Sequence, residues 1–208
     1  NATPDGDTDM AAWLYALNGR TGERLWAVEM AGQFGTVDPL TGDTAGDGRM
    51  DILLAWAQED DFPNGLGHSS IVSLSPEGQT RRRLDSDCAM PSCRLARLKP
   101  DAPTVLVATD YRGKLWVIDP KTLTEIRSVT VAEPSPAADR TVTMLHAVSD
   151  LDGDGDAELV VTTSRQRQVK AENPGYPDRP QNVAVFSDNT LHVYSSDLKP
   201  VGSFLVQK

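Results

Sequence analysis

Catalytic, redox and nucleic-acid sites are commonly built from residues that this chain has in short supply. Three histidines, His68, His146 and His192, are spread over 208 residues, and none has a neighbour in sequence that suggests a proton relay or a metal triad. Lys and Arg number 20 against 30 Asp and Glu, a formal charge of −10. Phosphate binding needs a basic surplus on one face, so nucleic acid is excluded as a partner. Arg81-Arg82-Arg83 is the lone basic cluster and reads as alternation along an exposed edge strand. No stretch approaches the roughly 18 consecutive apolar residues of a membrane span. Aromatic residues make up 6% of the chain, and Trp13, Trp26, Trp56 and Trp116 fall at strand-like positions where core packing is expected. Hydrophobic residues at 39%, with Gly and Pro scattered throughout, suit a globular all-β protein.

Acidic residues, by contrast, are concentrated. Asp150-Leu-Asp152-Gly-Asp154-Gly-Asp156-Ala-Glu158 places carboxylates at alternating positions and leads into the apolar run at 159–163. Ca²⁺ takes six to eight oxygens at about 2.3–2.6 Å. Side chains at alternate positions converge on one ion when the chain turns sharply, and Gly153 and Gly155 permit that turn. An EF-hand is ruled out, because its twelfth position requires a bidentate Glu and here holds Val161 in a β-branched run. The expectation is a strand-loop-strand calcium site in which Asp150, Asp152, Asp154 and Glu158 give side-chain oxygens and Asp156 a carbonyl. A metal-free Asp-Gly turn is the alternative. A weaker copy at Asp43-Thr-Ala-Gly-Asp47-Gly-Arg49-Met-Asp51 has Ala45 where the first has Asp152. Its candidate ligands are Asp43, Asp47, Asp51 and the Arg49 carbonyl.

Cys88 and Cys93 are the only cysteines. A disulfide closing so short a loop stabilises by about 2 kcal/mol on the chain-entropy model. Pairing is the expectation, since a calcium loop of modest affinity also suits an oxidising compartment; two free thiols are the alternative. Asn1 opens the chain in place of Met, as in a mature product or an excised piece, and Asn1-Ala-Thr3 matches a glycosylation sequon.

Four strand-turn-strand segments can be aligned on Leu17, Leu74, Ile118 and Tyr194, at spacings of roughly 57, 44 and 76 residues, the shortest within the range of propeller repeats. Before each of the last three comes another pair of strand-like runs: 36–40 with 51–56, 95–98 with 104–108, and 142–148 with 158–163. Each pair with its hairpin makes a four-stranded antiparallel meander, the unit of a β-propeller blade. The expected organisation is an extension at 1–11, a half blade at 12–30, and blades at 34–85, 93–132 and 141–207. Acidic loops join the first and second strands of two blades, and residues 99–103 join them in the middle one. Polar insertions at 59–67 and 165–181 fall between second and third strands, as binding loops or as solvated decoration.

Both acidic loops resemble the FG-GAP/VCBS repeat of integrin α-subunit propellers and of many bacterial surface proteins. Phe34-Gly35 is similar to the FG of that name, although Ala55-Trp56-Ala57 stands where Gly-Ala-Pro is usual. Residues 14–26, with a Thr-Gly turn and a closing Leu-Trp, resemble the quinoprotein (PQQ-type) repeat. The resemblance implies a noncatalytic propeller outside the cell, at a cell surface or in a periplasm, whose metal loops stiffen the blades while a protein or glycan ligand binds elsewhere. The quinoprotein enzymes carry an adjacent-cysteine disulfide that this chain lacks, and no catalytic or organic-cofactor residues are assigned. A quinone-dependent or polysaccharide-active enzyme remains the rival reading, and a structural spacer a third. Three and a half blades fall short of the usual four to eight. The ring is completed by the remainder of a larger propeller, by a composite blade or by a second chain.

Overall fold

A computed structural model gives the structure of the protein and describes residues 12–30, 39–58, 68–133, 140–171 and 181–207. The sequon, the extension at 1–11, Phe34-Gly35, Thr36-Val37, the insertion at 59–67 and residues 172–180 lie outside the described residues, as does the side chain of Trp56.

Every element described is a strand. The half blade pairs β1 (Ala12–Leu17) with β2 (Arg24–Met30). The first full blade runs β3 (Leu40–Gly42), β4 (Asp51–Gln58), β5 (His68–Leu74) and β6 (Thr80–Ser86). The second runs β7 (Ser92–Arg97), β8 (Thr104–Thr109), β9 (Lys114–Asp119) and β10 (Thr124–Thr130). The third comprises β11 (Arg140–Ser149), β12 (Glu158–Ala171), β13 (Gln181–Tyr194) and β14 (Pro200–Gln207). In each four-stranded sheet the neighbours follow chain order, and every pairing is antiparallel. This is the meander that the strand spacing predicts, an all-β stack of three blades and a half.

Packing between blades explains the sequence pattern. A blade in the middle of a stack buries both faces, so its inner strands read as unbroken apolar runs. Along β8, Val105 and Val107 meet Leu145, Leu159, Val161 and Tyr194 of the third blade, while Leu106 and Ala108 meet Leu53, Ala55 and Ile71 of the first. Leu106 is wholly buried. Such burial of one leucine side chain stabilises by about 1.5–3 kcal/mol. The half blade leans on the first blade through Leu14, which packs against Leu54, Val72 and Leu74. Trp26 adds a tie there, its indole N–H donating to the Pro76 carbonyl at 2.8 Å.

The outermost surfaces differ. Trp13 is 47% exposed and stacks on Tyr15 with ring centroids 6.4 Å apart, so the core position expected for this tryptophan is not what the fold provides. No described element covers that face of β1. At the opposite end, Val201, Phe204, Leu205 and Val206 of β14 are exposed.

Two further expectations are corrected. Residues 165–171 of the insertion at 165–181 are strand: β12 and β13 stay paired from Arg165↔Ser187 to Ala171↔Gln181, with β11 alongside as far as Gln166 and a two-stranded ribbon beyond it among the described residues. Cys88 and Cys93 are free thiols rather than a disulfide. Cys93 lies on β7 and enters the core between the first and second blades, whereas Cys88 sits in the preceding turn, its Sγ 3.8 Å from the Ala89 carbonyl. Burial pushes the Cys88 thiol up to about 11 and the Cys93 thiol up to about 12. Both are therefore expected to resist a thiol reagent at pH 8 and to react only once the protein is unfolded. In the unfolded chain the same thiols ionise near 9. Stability attributable to them is complete below that value and declines as pH rises through 9 towards 11. Thermal scans from pH 8 to 11, against a Cys93→Ala variant with its shallower decline, check the sign.

Candidate metal centre

The loop that follows β11 begins at Asp150 and ends at Glu158, the first residue of β12. Sequence dictates its shape: Gly153 and Gly155 have φ of 86° and 94°, values an L residue adopts only at a cost. The resulting curl turns backbone N–H groups inwards onto the first carboxylate. Asp150 Oδ1 accepts from Gly153 N at 2.7 Å, and Oδ2 accepts from Gly155 N at 3.0 Å. Leu151 N donates to Glu158 Oε2 at 2.8 Å, which closes the loop across its ends.

Carboxylate oxygens of Asp150, Asp152 and Glu158 lie within 4.8 Å of one another. Two oxygens bound to one calcium at about 2.5 Å lie at most about 5 Å apart, so the spacing fits a shared ion. Glu158 is buried, and three acidic groups so close repel unless a cation lies between them. Asp154 lies outside this group; its Oδ1 accepts from Asp156 N at 2.8 Å. The Asp156 carboxylate is committed elsewhere. It accepts from Ser196 Oγ at 2.9 Å and pairs with Lys99 Nζ at 3.2 Å. These two contacts hold its pKa below the usual carboxylate value, Ser196 being the larger influence.

Lys99 belongs to the turn between β7 and β8, and it also reaches Asp197 at 3.3 Å. Ala157 N donates to the Leu98 carbonyl at 2.9 Å. The acidic loop of the third blade is thus tied to the second blade by one backbone hydrogen bond and one lysine. Nothing in the sequence pattern of the loop singles out Lys99, because it lies about fifty residues upstream.

The weaker loop, between β3 and β4, has the same backbone. Gly46 and Gly48 have φ of 72° and 78°, and Asp43 accepts from Gly46 N at 2.7 Å and Gly48 N at 2.9 Å. The Gly48 contact is the chief cause of its lowered pKa. Its other residues are dispersed. Arg49 turns outwards to Glu77 at 2.6 Å, Asp47 Oδ1 accepts from Arg49 N at 2.9 Å, and Asp51 is wholly buried against Arg81 and Thr44.

Among the described residues a basic groove, which sequence reading missed, lies between β7 and β11. Arg94, Arg97 and His146 line it with Ala96 and Val148, in a cavity of about 350 Å³. Arg94 and Arg97 are exposed, and His146 Nε2 is 2.7 Å from Thr162 Oγ1. The signal was present only as residues far apart in sequence, on strands that the stack brings side by side.

No family model matches the sequence, and no curated protein matches it. Among solved structures, the V. cholerae biofilm matrix protein Bap1 is similar over 96% of this chain and 34% of its own, at 16% identity and a TM-score of 0.41. A europium-containing methanol dehydrogenase is similar over 94% of this chain and 50% of its own, at 13% identity and a TM-score of 0.50. BBS1N in its complex with ARL6DN is similar over 93% and 72%, at 11% identity and a TM-score of 0.31. The chain thus spans a third to a half of the first two. At these identities the likeness concerns fold alone, and the dehydrogenase likeness supports the propeller-like repeat of blades.

Proposed function

We propose that this chain is a noncatalytic, calcium-stabilised propeller module of the FG-GAP/VCBS kind, which acts outside the cell and binds a protein or a glycan. The observation that carries the reading is the convergence of Asp150, Asp152 and Glu158 oxygens at the junction of β11 and β12. All are hard donors of the kind calcium takes. When bound, the ion neutralises the carboxylates and fixes the loop whose Ala157 and Asp156 hold the neighbouring blade. Its role is mechanical.

Ligand binding is assigned to the ribbon formed by residues 165–171 and 181–187. Beyond Gln166, the last residue that pairs with β11, it extends past the sheet; Val185 is exposed on the face of Arg165 and Arg167, and Phe186 on the face of Lys170. Exposed apolar side chains rimmed by charge suit a contact surface. The test is a protein and glycan array probed with the whole chain and with a variant in which residues 167–185 are replaced by a two-residue turn and Phe186→Ser is added. Binding by the first and not the second is expected, with calcium-dependent melting unchanged. A bound quinone absorbance, or turnover of a polysaccharide, would overturn the noncatalytic reading.

A further inference from the structure

The two acidic loops share a backbone but solve the same electrostatic problem with different cations. Both end on a buried carboxylate at the start of the second strand, Asp51 at 0% exposure in the first blade and Glu158 at 7% in the third. A buried carboxylate is strongly unfavourable unless a positive charge and hydrogen bonds accompany it. In the first blade Arg81 Nη1 donates to Asp51 Oδ1, and Thr44 Oγ1 donates to Oδ2. Both oxygens are used. In the third blade Glu158 accepts from the Leu151 backbone, and no ion pair reaches it among the described residues.

Register identifies the cause. Leu74↔Thr80 and Ser73↔Arg82 pair β5 with β6, while Tyr194↔Pro200 and Val193↔Gly202 pair β13 with β14. Arg81 and Val201 therefore occupy equivalent places on the fourth strand. Where the first blade has a guanidinium aimed at the loop, the third has an uncharged side chain. Ala45 in place of Asp152 removes a further oxygen, and the Arg49 side chain is drawn off by Glu77.

We infer that Arg81 is the resident cation of the loop at 43–51: its guanidinium fills the charge-neutralising role taken by a divalent ion at 150–158, and the first blade folds without metal. The donor set of this loop does not fit calcium. The comparison rests on the calcium reading of the third blade, and the experiment separates the two.

Calorimetric titration of the metal-stripped chain with CaCl₂ is expected to give about one ion per chain. Glu158→Gln should leave none. Adding Ala45→Asp, Asp51→Glu and Arg81→Val to that variant copies the three converging carboxylates of the third blade and should restore about one ion. An ion that persists in Glu158→Gln and is lost on Asp51→Asn overturns the inference. So does a folded copy variant that binds nothing while the wild type binds one. Should the copy variant not fold, the wild-type and Glu158→Gln titrations still decide. If the wild type binds no calcium, the reading of the third blade fails. The inference is then judged by a double-mutant cycle of Asp51→Asn and Arg81→Met in chelator. Coupling of more than about tenfold in the folding equilibrium supports it, and additivity overturns it.

Discussion

Saturating calcium is expected to raise the melting temperature of the metal-stripped chain by roughly 5–10 °C, and Asp152→Ala to remove most of that rise. The estimate follows from mass action. Extracellular calcium modules bind with dissociation constants of about 10⁻⁴–10⁻³ M. An ion at about one hundred times its dissociation constant stabilises the folded state by about 2.7 kcal/mol. In a chain of this size each kcal/mol moves the midpoint by about 2–4 °C. Asp152 is singled out because its carboxylate is one of the three that converge, whereas Asp154 lies outside that group, so Asp154→Ala should take away less. Asp47→Ala should leave the rise intact. Thermal scans in calcium and in chelator compare all four proteins, and equal losses from Asp152→Ala and Asp47→Ala would show that the two loops are ranked wrongly.

Gly113→Ala is expected to destabilise the protein by about 3 kcal/mol, lowering the midpoint by roughly 6–12 °C irrespective of calcium. Gly113 precedes β9 with φ of 85°, and an added Cβ would lie 2.1 Å from the Ala132 carbonyl oxygen. That oxygen belongs to backbone and cannot swing aside. Val131 N donates to the Gly113 carbonyl at 2.7 Å, so the two segments are held together by the bond that the methyl group would break. Left-handed geometry alone costs about 1–2 kcal/mol for an L residue, and the clash adds to it. Gly22→Ala is the control: its φ is 72°, but nothing lies within 4 Å of the added atom. It should lose only the conformational part. A similar loss for both substitutions would remove the steric argument.

Which parts of this structure could be read from the residues depends on how local their causes are. The blades were legible because burial on both faces leaves continuous apolar runs such as Val105 to Ala108, and the acidic loops because glycines and carboxylates alternate within nine residues. The ribbon was not. Arg165, Arg167 and Lys170 give no apolar alternation, since a ribbon beyond the sheet has no core to face, and polar residues there read as loop. Pairing between residues distant in sequence was hidden too: Arg81 is thirty residues from Asp51 within one blade, and Lys99 comes from a different sheet than Asp156. The spacing of Cys88 and Cys93 suggested a bridge, but β7 begins between them and carries Cys93 into the interior.

The bare aromatic face of β1 and the bare apolar strand β14 are different surfaces at opposite ends of one stack. If two copies met through them, the contact would be head-to-tail, leaving each pair with the same two ends still free. Growth by such a rule stops only when the rotation per step happens to close, and otherwise yields fibres. Solutions of the isolated chain should accordingly show concentration-dependent light scattering, suppressed by Phe204→Lys on one end as readily as by Trp13→Lys on the other.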